Sequence, residues 1–188
     1  MLWRHCMLTG FLFSAGLQGV PSYADSLMPR NLSYEIEVKE DDQAKSCNIM
    51  LLLVNLPAPE VVNFRLVATH RKTQTVTFLG FSIDVADMIF ANGLPAGNRK
   101  IPLSSAAFES ALFNSAGRLN GGAVADGGVL ESTADSQIAT AFLQSFLTGE
   151  FSITFSRSGV SGTRTYQINA PVPVEVRTRF FECISSFP

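Results

Sequence analysis

Residues 136–183 constrain the fold more tightly than any other stretch of the chain. Within residues 136–148, large apolar side chains recur at i, i+4 and i+8, which places them in one stripe of an α-helix. Either Asp135 or the Ser-x-x-Asp pattern of residues 132–135 caps the first turn, and Gly149 suits a left-handed last position. The sequence therefore predicts a helix over 136–148, with a stripe formed by Ile138, Phe142 and Phe146.

A hairpin follows this helix. Residues 151–156 alternate strictly between large apolar side chains and hydroxyls, which predicts a half-buried strand. Residues 158–162 are rich in glycine and serine and suit a turn, so residues 163–168 return as the second strand. Residues 171–184 fit two structures. Their alternation favours an edge strand at the start, whereas Val176, Phe180 and Ile184 also fit one helix face.

The first 24 residues are typical of an export signal. A weakly basic start precedes an apolar stretch, and Ser22-Tyr23-Ala24 has the small-x-small pattern of a cleavage site. We therefore expect a signal peptide over 1–24 and a single β-rich domain over 25–188, in the bacterial periplasm or secreted. No later run approaches the roughly 18 apolar residues that a transmembrane helix needs. Residues 25–188 carry 13 basic and 16 acidic side chains, a balance that suggests neither nucleic acid nor anionic lipid as a partner.

Two cysteines remain after residue 24, Cys47 and Cys183. In an oxidising compartment an even pair in a small domain is typical of a disulfide. It would close a loop of more than 100 residues, worth roughly 5 kcal/mol in the chain-entropy treatment. The alternative is two independent buried thiols. The sequence favours the bridge, which would tie the C-terminal segment to an early strand.

The segment before the helix is dominated by β patterns. Residues 32–38 alternate, residues 47–54 are almost continuously apolar, and residues 61–70 alternate again. The apolar run predicts a central strand covered on both faces. In residues 73–90 the apolar positions change parity at Gly80, which predicts a β-bulge or bend there.

Three later segments are less regular. We expect a loop over 91–98, a short helix or a strand over 103–113, and a mobile segment or a glycine-rich hairpin over 117–128. The predicted fold class is mainly β: an antiparallel β-sandwich or strongly bent sheet of about six to eight strands, with one packed α-helix.

Candidate catalytic groups are few. His70 is the one histidine of residues 25–188, and a general base would need a carboxylate beside it, with Asp84 or Asp87 as candidates. The alternative is a surface or half-buried histidine of a turn at the strand end, without a catalytic role. Asp84 and Asp87 are three residues apart, so an extended strand points them to opposite faces. The sequence holds no phosphate loop, dinucleotide fingerprint or Cys-x-x-Cys motif. We expect no cofactor and no metal, and assign no catalytic residue.

The order of a helix ending in Gly149, an alternating strand, a turn, a second strand and a terminal apolar segment resembles the C-terminal half of the invasion-associated locus B family. The similar residues are 141–149 and 151–155. The resemblance implies a small exported bacterial β-sandwich protein. The chain departs from that family in having no tryptophan after residue 24 and no second, closely spaced cysteine pair.

The leading functional hypothesis is an exported, non-enzymatic module that binds a protein or another component of the bacterial envelope. One alternative is a hydrolase that uses His70 with Asp84 or Asp87. A second is a pilus-type subunit, for which residues 25–31 are a short candidate arm that lacks an alternating apolar pattern.

Overall fold

Two β-sheets face each other across a core rich in phenylalanine. The computed structural model describes residues 23–26, 32–57, 59–73 and 76–188. Its elements, in chain order, are β1 (Tyr23–Ser26), β2 (Leu32–Glu40), β3 (Ala44–Asn55), β4 (Glu60–Arg71), β5 (Val76–Ala91), β6 (Leu94–Ile101), β7 (Leu103–Ser110), β8 (Asn120–Ala123), β9 (Val129–Thr133), α1 (Ser136–Thr148), β10 (Glu150–Arg157), β11 (Arg164–Asn169) and α2 (Val174–Ser185).

The large sheet has the order β2-β3-β4-β5-β9-β8, and β6 also pairs with β5. β9 pairs with residues 79–83 of β5 and β6 with residues 85–91, so the two strands share one edge of β5. The small sheet has the order β1-β11-β10-β7. All pairs are antiparallel except β1 with β11, which is parallel. The predicted mainly β, sandwich-like fold with a packed helix is confirmed, but the described residues form eleven strands and two helices where six to eight strands and one helix were predicted.

The core lies where the inner faces of both sheets meet α1. In β4 every second residue from Val62 to His70 is buried, as alternation requires. Phe64 lies at the centre. Its ring centroid is 5.3 Å from that of Phe81, 6.0 Å from that of Phe146 and 6.1 Å from that of Phe108. Rings at these separations add attraction beyond the area that they bury, so one aromatic cluster joins both sheets and the helix.

The ends of α1 are those predicted. The Asp135 carboxylate accepts hydrogen bonds from the backbone N–H groups of Gln137 and Ile138, at 2.8 and 3.0 Å. Asp135 itself is therefore the N-cap, not the Ser-x-x-Asp pattern of residues 132–135. Gly149 has φ +73° and packs so closely on Ala170 that a Cβ atom would overlap it. Both the conformation and the contact require glycine there.

Residues 171–184 are helical from Val174 onward, so the preference for a strand at the start of this segment is wrong. The helix buries Phe180 and Cys183 on one face, and Val174 is exposed, whereas the strand pattern predicted it inside. Pro173 stands directly before the first turn, where its missing N–H costs nothing. The segment forms a helix because helical spacing directs its large side chains onto β2 and β3.

The predicted disulfide is present. Cys47 and Cys183 are bonded, with their Cα atoms 6.0 Å apart and a sequence separation of 136. Cys47 points inward from β3 with Ile49, Leu51 and Leu53, all of them fully buried. The bridge therefore fixes α2 on the inner face of the large sheet.

The outer face of β3 differs from the prediction. Met50, Leu52 and Val54 are half-buried, so the strand is covered by a second layer on its inner face alone. Met50 lies between Glu35 and Arg65 on the neighbouring strands. Long charged side chains shield apolar neighbours with their stems, which explains an apolar strand without a second layer.

The bulge predicted at Gly80 is absent. β5 stays in continuous register with β4, with Gly80 opposite Val67. Leu79 continues the inward set of Phe81 and Ile83, while Phe78 faces the other side beneath the Arg71 guanidinium, 5.1 Å from its ring centroid. A Cβ atom at Gly80 would lie 1.9 Å from the Glu131 carbonyl oxygen. The glycine therefore serves the close approach of β9, not a bend.

The loop predicted over 91–98 is also wrong, because residues 94–101 form β6. Asn92 and Gly93 have φ +53° and +78°, the conformation of a two-residue hairpin turn between twisted strands. Pro95 is compatible with a strand here because β6 pairs with β5 alone, and the register shifts between Ile89 and Phe90.

The structure also defines the two segments for which the sequence allowed two alternatives each. Residues 103–110 form strand β7, and residues 120–133 form the β8–β9 hairpin. The predicted signal peptide lies outside the described residues except for Tyr23 and Ala24, which belong to β1 and pair with Arg164 and Thr165. Asp25 and Ser26 of the candidate arm pair with the same strand, and residues 27–31 lie outside the described part. No described helix has the length and apolar character needed to cross a bilayer.

A candidate interaction surface at one end of the sandwich

His70 is a buried residue near the end of β4. It is 3% exposed, its Nδ1 atom lies 3.1 Å from the Thr77 hydroxyl oxygen, and its ring centroid lies 5.6 Å from that of Phe187. The ring thus packs under the last residues of the chain. These contacts, with Thr77 and Phe187, fix the ring within the folded domain. Neither contact is with a carboxylate.

The structure does not bring His70 to either candidate aspartate. His70 pairs with Thr77, whereas Asp84 lies seven residues further along β5, roughly 23 Å at the usual rise per residue. The carboxylate of Asp84 is 2.7 Å from an Arg65 nitrogen and 3.1 Å from the Lys100 ammonium. Asp87 binds Arg157 and Arg99 on the opposite face, as the spacing of the two aspartates predicted. The arrangement contains no base–acid pair built on these three residues.

Three turns meet at the other end of the sandwich from His70. They are the turns at residues 56–57, 92–93 and 158–163. Glu60 is opposite Asp87 in the large sheet, and Arg157 of the small sheet binds both carboxylates, which places the first and third turns beside the base of the hairpin that ends in the second turn. We call this region the apolar end.

Large apolar side chains are exposed in each turn of the apolar end or beside it. Isolated exposed apolar residues are ordinary on protein surfaces, but a group at one place marks a contact surface. The exposed fractions are 64% for Leu56, 48% for Ile89, 44% for Phe90, 70% for Leu94 and 61% for Val160.

The β5–β6 hairpin projects furthest. β4 begins opposite Asp87, and beyond that residue β5 continues in a ladder with β6 alone. From Asp87 to Asn92 the projection is roughly 16 Å long. Alternation directs Ile89 and Leu94 to one face, and Phe90 and Pro95 to the other. Both faces of the projecting tip are therefore apolar, without a core beneath either face.

An ion-pair cluster lies at the base of this hairpin. One Glu60 carboxylate oxygen is 2.9 Å from Arg157 and 3.4 Å from Arg164, while Arg157 and Arg99 bind the two oxygens of Asp87 at 3.0 and 3.2 Å. A cavity of about 370 Å³ lies against these groups. The cluster connects the two sheets, because Glu60 and Asp87 belong to the large sheet and Arg157 and Arg164 to the small one.

The charged side chains of the cluster differ in exposure. Glu60 is 1% exposed, and this burial raises the pKa of its carboxyl group, with Arg157 and Arg164 opposing the rise. The Arg99 side chain, by contrast, is 72% exposed. Arg157 and Asp87 lie between these two extremes, with side chains 24% and 27% exposed, so Arg99 is the charged group that the rim of the cluster presents to the surroundings.

The sequence does contain a signal for the β5–β6 hairpin, which the prediction of a loop over 91–98 overlooked. Asn-Gly between two apolar segments is the strongest short-range hairpin pattern, and Ile89-Phe90 and Leu94 flank it here. The ion-pair cluster had no such signal. Glu60 and Arg157 are 97 residues apart, and only the pairing of the sheets brings them together.

No protein-family model, no curated protein and no solved structure matches this chain. The projecting hairpin and its charged base are therefore the features from which a function has to be argued.

Proposed function

We propose that this protein is an exported module of the bacterial envelope that acts by binding a protein or another envelope component, not by catalysis. The observation that carries the proposal is the β5–β6 hairpin, whose exposed Ile89, Phe90 and Leu94 leave both faces of its tip apolar. Water contact with such side chains is unfavourable by about 25 cal/mol per Å². A partner that covers them gains this free energy on binding.

Export is part of the proposal and has its own support. The bonded pair Cys47–Cys183 is typical of an oxidising compartment. The N-terminal pattern and the resemblance to the invasion-associated locus B family favour the same location. N-terminal sequencing of protein recovered from the periplasm or the medium should begin at Asp25. A chain that still begins at Met1 would contradict export with cleavage.

Capture from an envelope extract tests the binding role. The protein, immobilised through a C-terminal tag, is compared with a variant carrying Phe90→Ser and Leu94→Ser. Matched controls are Val38→Ser and Leu112→Ser, since both residues are exposed and lie away from the apolar end. The proposal expects a specific component held by wild type and by the controls and lost by the hairpin variant. Identical capture by all four proteins would exclude the hairpin as the binding surface.

A further inference from the structure

We propose that the component bound by the apolar end is the surface of a lipid bilayer with anionic headgroups, into which the β5–β6 hairpin inserts. This inference rests on the proposed function and names the partner of the same surface. It follows from the two-sided apolar tip, from the length of the tip and from the position of Arg99.

The two faces of the tip distinguish a bilayer from a protein groove. Ile89 and Leu94 project on one side of the hairpin and Phe90 on the other. A groove on a rigid partner covers one side of a hairpin and leaves the other in water. Acyl chains surround an inserted element on every side, so a bilayer removes all three side chains from water at once.

The length of the tip fits the depth of such an insertion. From Ile89 to the turn at Asn92 the strand rises roughly 10 Å. Elements that lie in the membrane interface bury their apolar parts about 5–10 Å into the headgroup and acyl boundary. Ile89, Phe90 and Leu94 can therefore be buried together without submerging the rest of the sandwich.

Charge marks where the headgroups would lie. Arg99 is opposite Asp87, two residues or roughly 7 Å below Ile89 on the hairpin axis. Its side chain is 72% exposed, whereas the side chain of its partner Asp87 is 27% exposed. With the tip inserted, Arg99 lies at the level of lipid phosphates, which guanidinium groups bind well.

Two neighbouring turns extend the same surface. Leu56 and Val160 are exposed at the turns beside the hairpin. Each follows a strand whose last residues belong to or adjoin the ion-pair cluster. They are placed to contact the interface once the hairpin has entered it, which would limit tilting of the bound protein.

Sedimentation with vesicles tests the inference. Wild type is mixed with vesicles of equal parts phosphatidylethanolamine and phosphatidylglycerol, and separately with phosphatidylcholine vesicles. All variants carry the same N-terminus, so any contribution from residues 1–24 is common to them. Binding should favour the anionic vesicles. It should fall about tenfold or more with Phe90→Ser plus Leu94→Ser and about fivefold with Arg99→Glu. Two control substitutions should leave the binding to both kinds of vesicle unchanged: Arg179→Glu, on the exposed face of α2, and Val38→Ser.

The outcomes separate this inference from the proposed function. If the hairpin variant loses its component in the envelope extract while wild type ignores both kinds of vesicle, the binding role stands and the lipid is replaced by a protein partner. If the hairpin variant binds anionic vesicles as wild type does, insertion is overturned. If wild type prefers neither vesicle composition and Arg99→Glu has no effect, the anionic headgroup is overturned.

Discussion

The two ends of the sandwich are built on the same strands and differ in how they are finished. At one end, which we call the closed end, α2 covers the inner face of β2 and β3, Cys183 is bonded to Cys47, and His70 packs on Phe187. At the apolar end the strands run out into turns with exposed large side chains, held together by ion pairs. Covalent and apolar contacts stabilise the first end. The second end leaves apolar area available for binding.

The comparison separates stability from function within one sheet. Substitutions at the closed end should change the free energy of unfolding and leave binding intact. Substitutions at the tip of the hairpin should do the reverse. A change in the core between the two ends should abolish both. Variants in the core, at the closed end and at the tip of the hairpin test this division.

Phe142→Asp should destabilise the protein by roughly 4 kcal/mol or more. Phe142 is fully buried and its ring centroid is 4.9 Å from that of Phe108, so the substitution places an unpaired charge inside the aromatic cluster. Circular dichroism during thermal unfolding measures the effect. A melting temperature within a degree or two of wild type would show that α1 does not support the core.

Replacing both Cys47 and Cys183 with serine should lower the free energy of unfolding by about 2–5 kcal/mol. The bridge closes a loop of 136 residues and fixes α2, so its removal loosens the closed end. Urea unfolding gives the change, and vesicle sedimentation below the transition should match wild type. Loss of binding in folded protein would show that the two ends are not independent.

Glu60→Gln should change how stability depends on pH. Burial raises the pKa of Glu60, so the folded state holds its proton more tightly than the unfolded state does. Raising the pH through the interval between those two pKa values therefore lowers the free energy of unfolding of wild type. The variant lacks this loss, so its stability relative to wild type should rise with pH. If the free energy of unfolding depends on pH in the same way in wild type and in the variant, the prediction is wrong. Glu35→Gln at an exposed site is the control.

Phe90→Ser plus Leu94→Ser should change the free energy of unfolding by no more than about 0.5 kcal/mol. Both side chains are exposed at the tip of the hairpin and contribute little to the core. Urea unfolding of the variant beside wild type measures this. A loss comparable to that of the cysteine variant would mean that the tip packs against the body of the protein.

Local patterns predicted the parts of the fold that local patterns determine. The apolar stripe of α1, its cap at Asp135 and Gly149 are all encoded within 15 residues, and the structure confirms them. The alternation of residues 151–156 likewise predicted β10. The disulfide was predictable because only two cysteines follow residue 24.

Predictions were wrong where two periods or two partners competed. Residues 172–180 fit both periods, and packing on β2 and β3 selected the helix, which no local signal in the segment could decide. Gly80 was interpreted as a bend because the partner that requires it, Glu131, lies 51 residues later. The ion-pair cluster could not be predicted for the same reason, because Glu60 and Arg157 meet only through the packing of the two sheets.

Hydrogen–deuterium exchange of the protein alone and bound to an isolated envelope fraction tests the central claim most directly. If the apolar end is the binding surface, as we propose, backbone amides of residues 88–97 should gain protection on binding. Residues 174–187 of the closed end should exchange at the same rate in both states. Protection that appears on α2 and leaves the hairpin unchanged would contradict the assignment of binding to the apolar end.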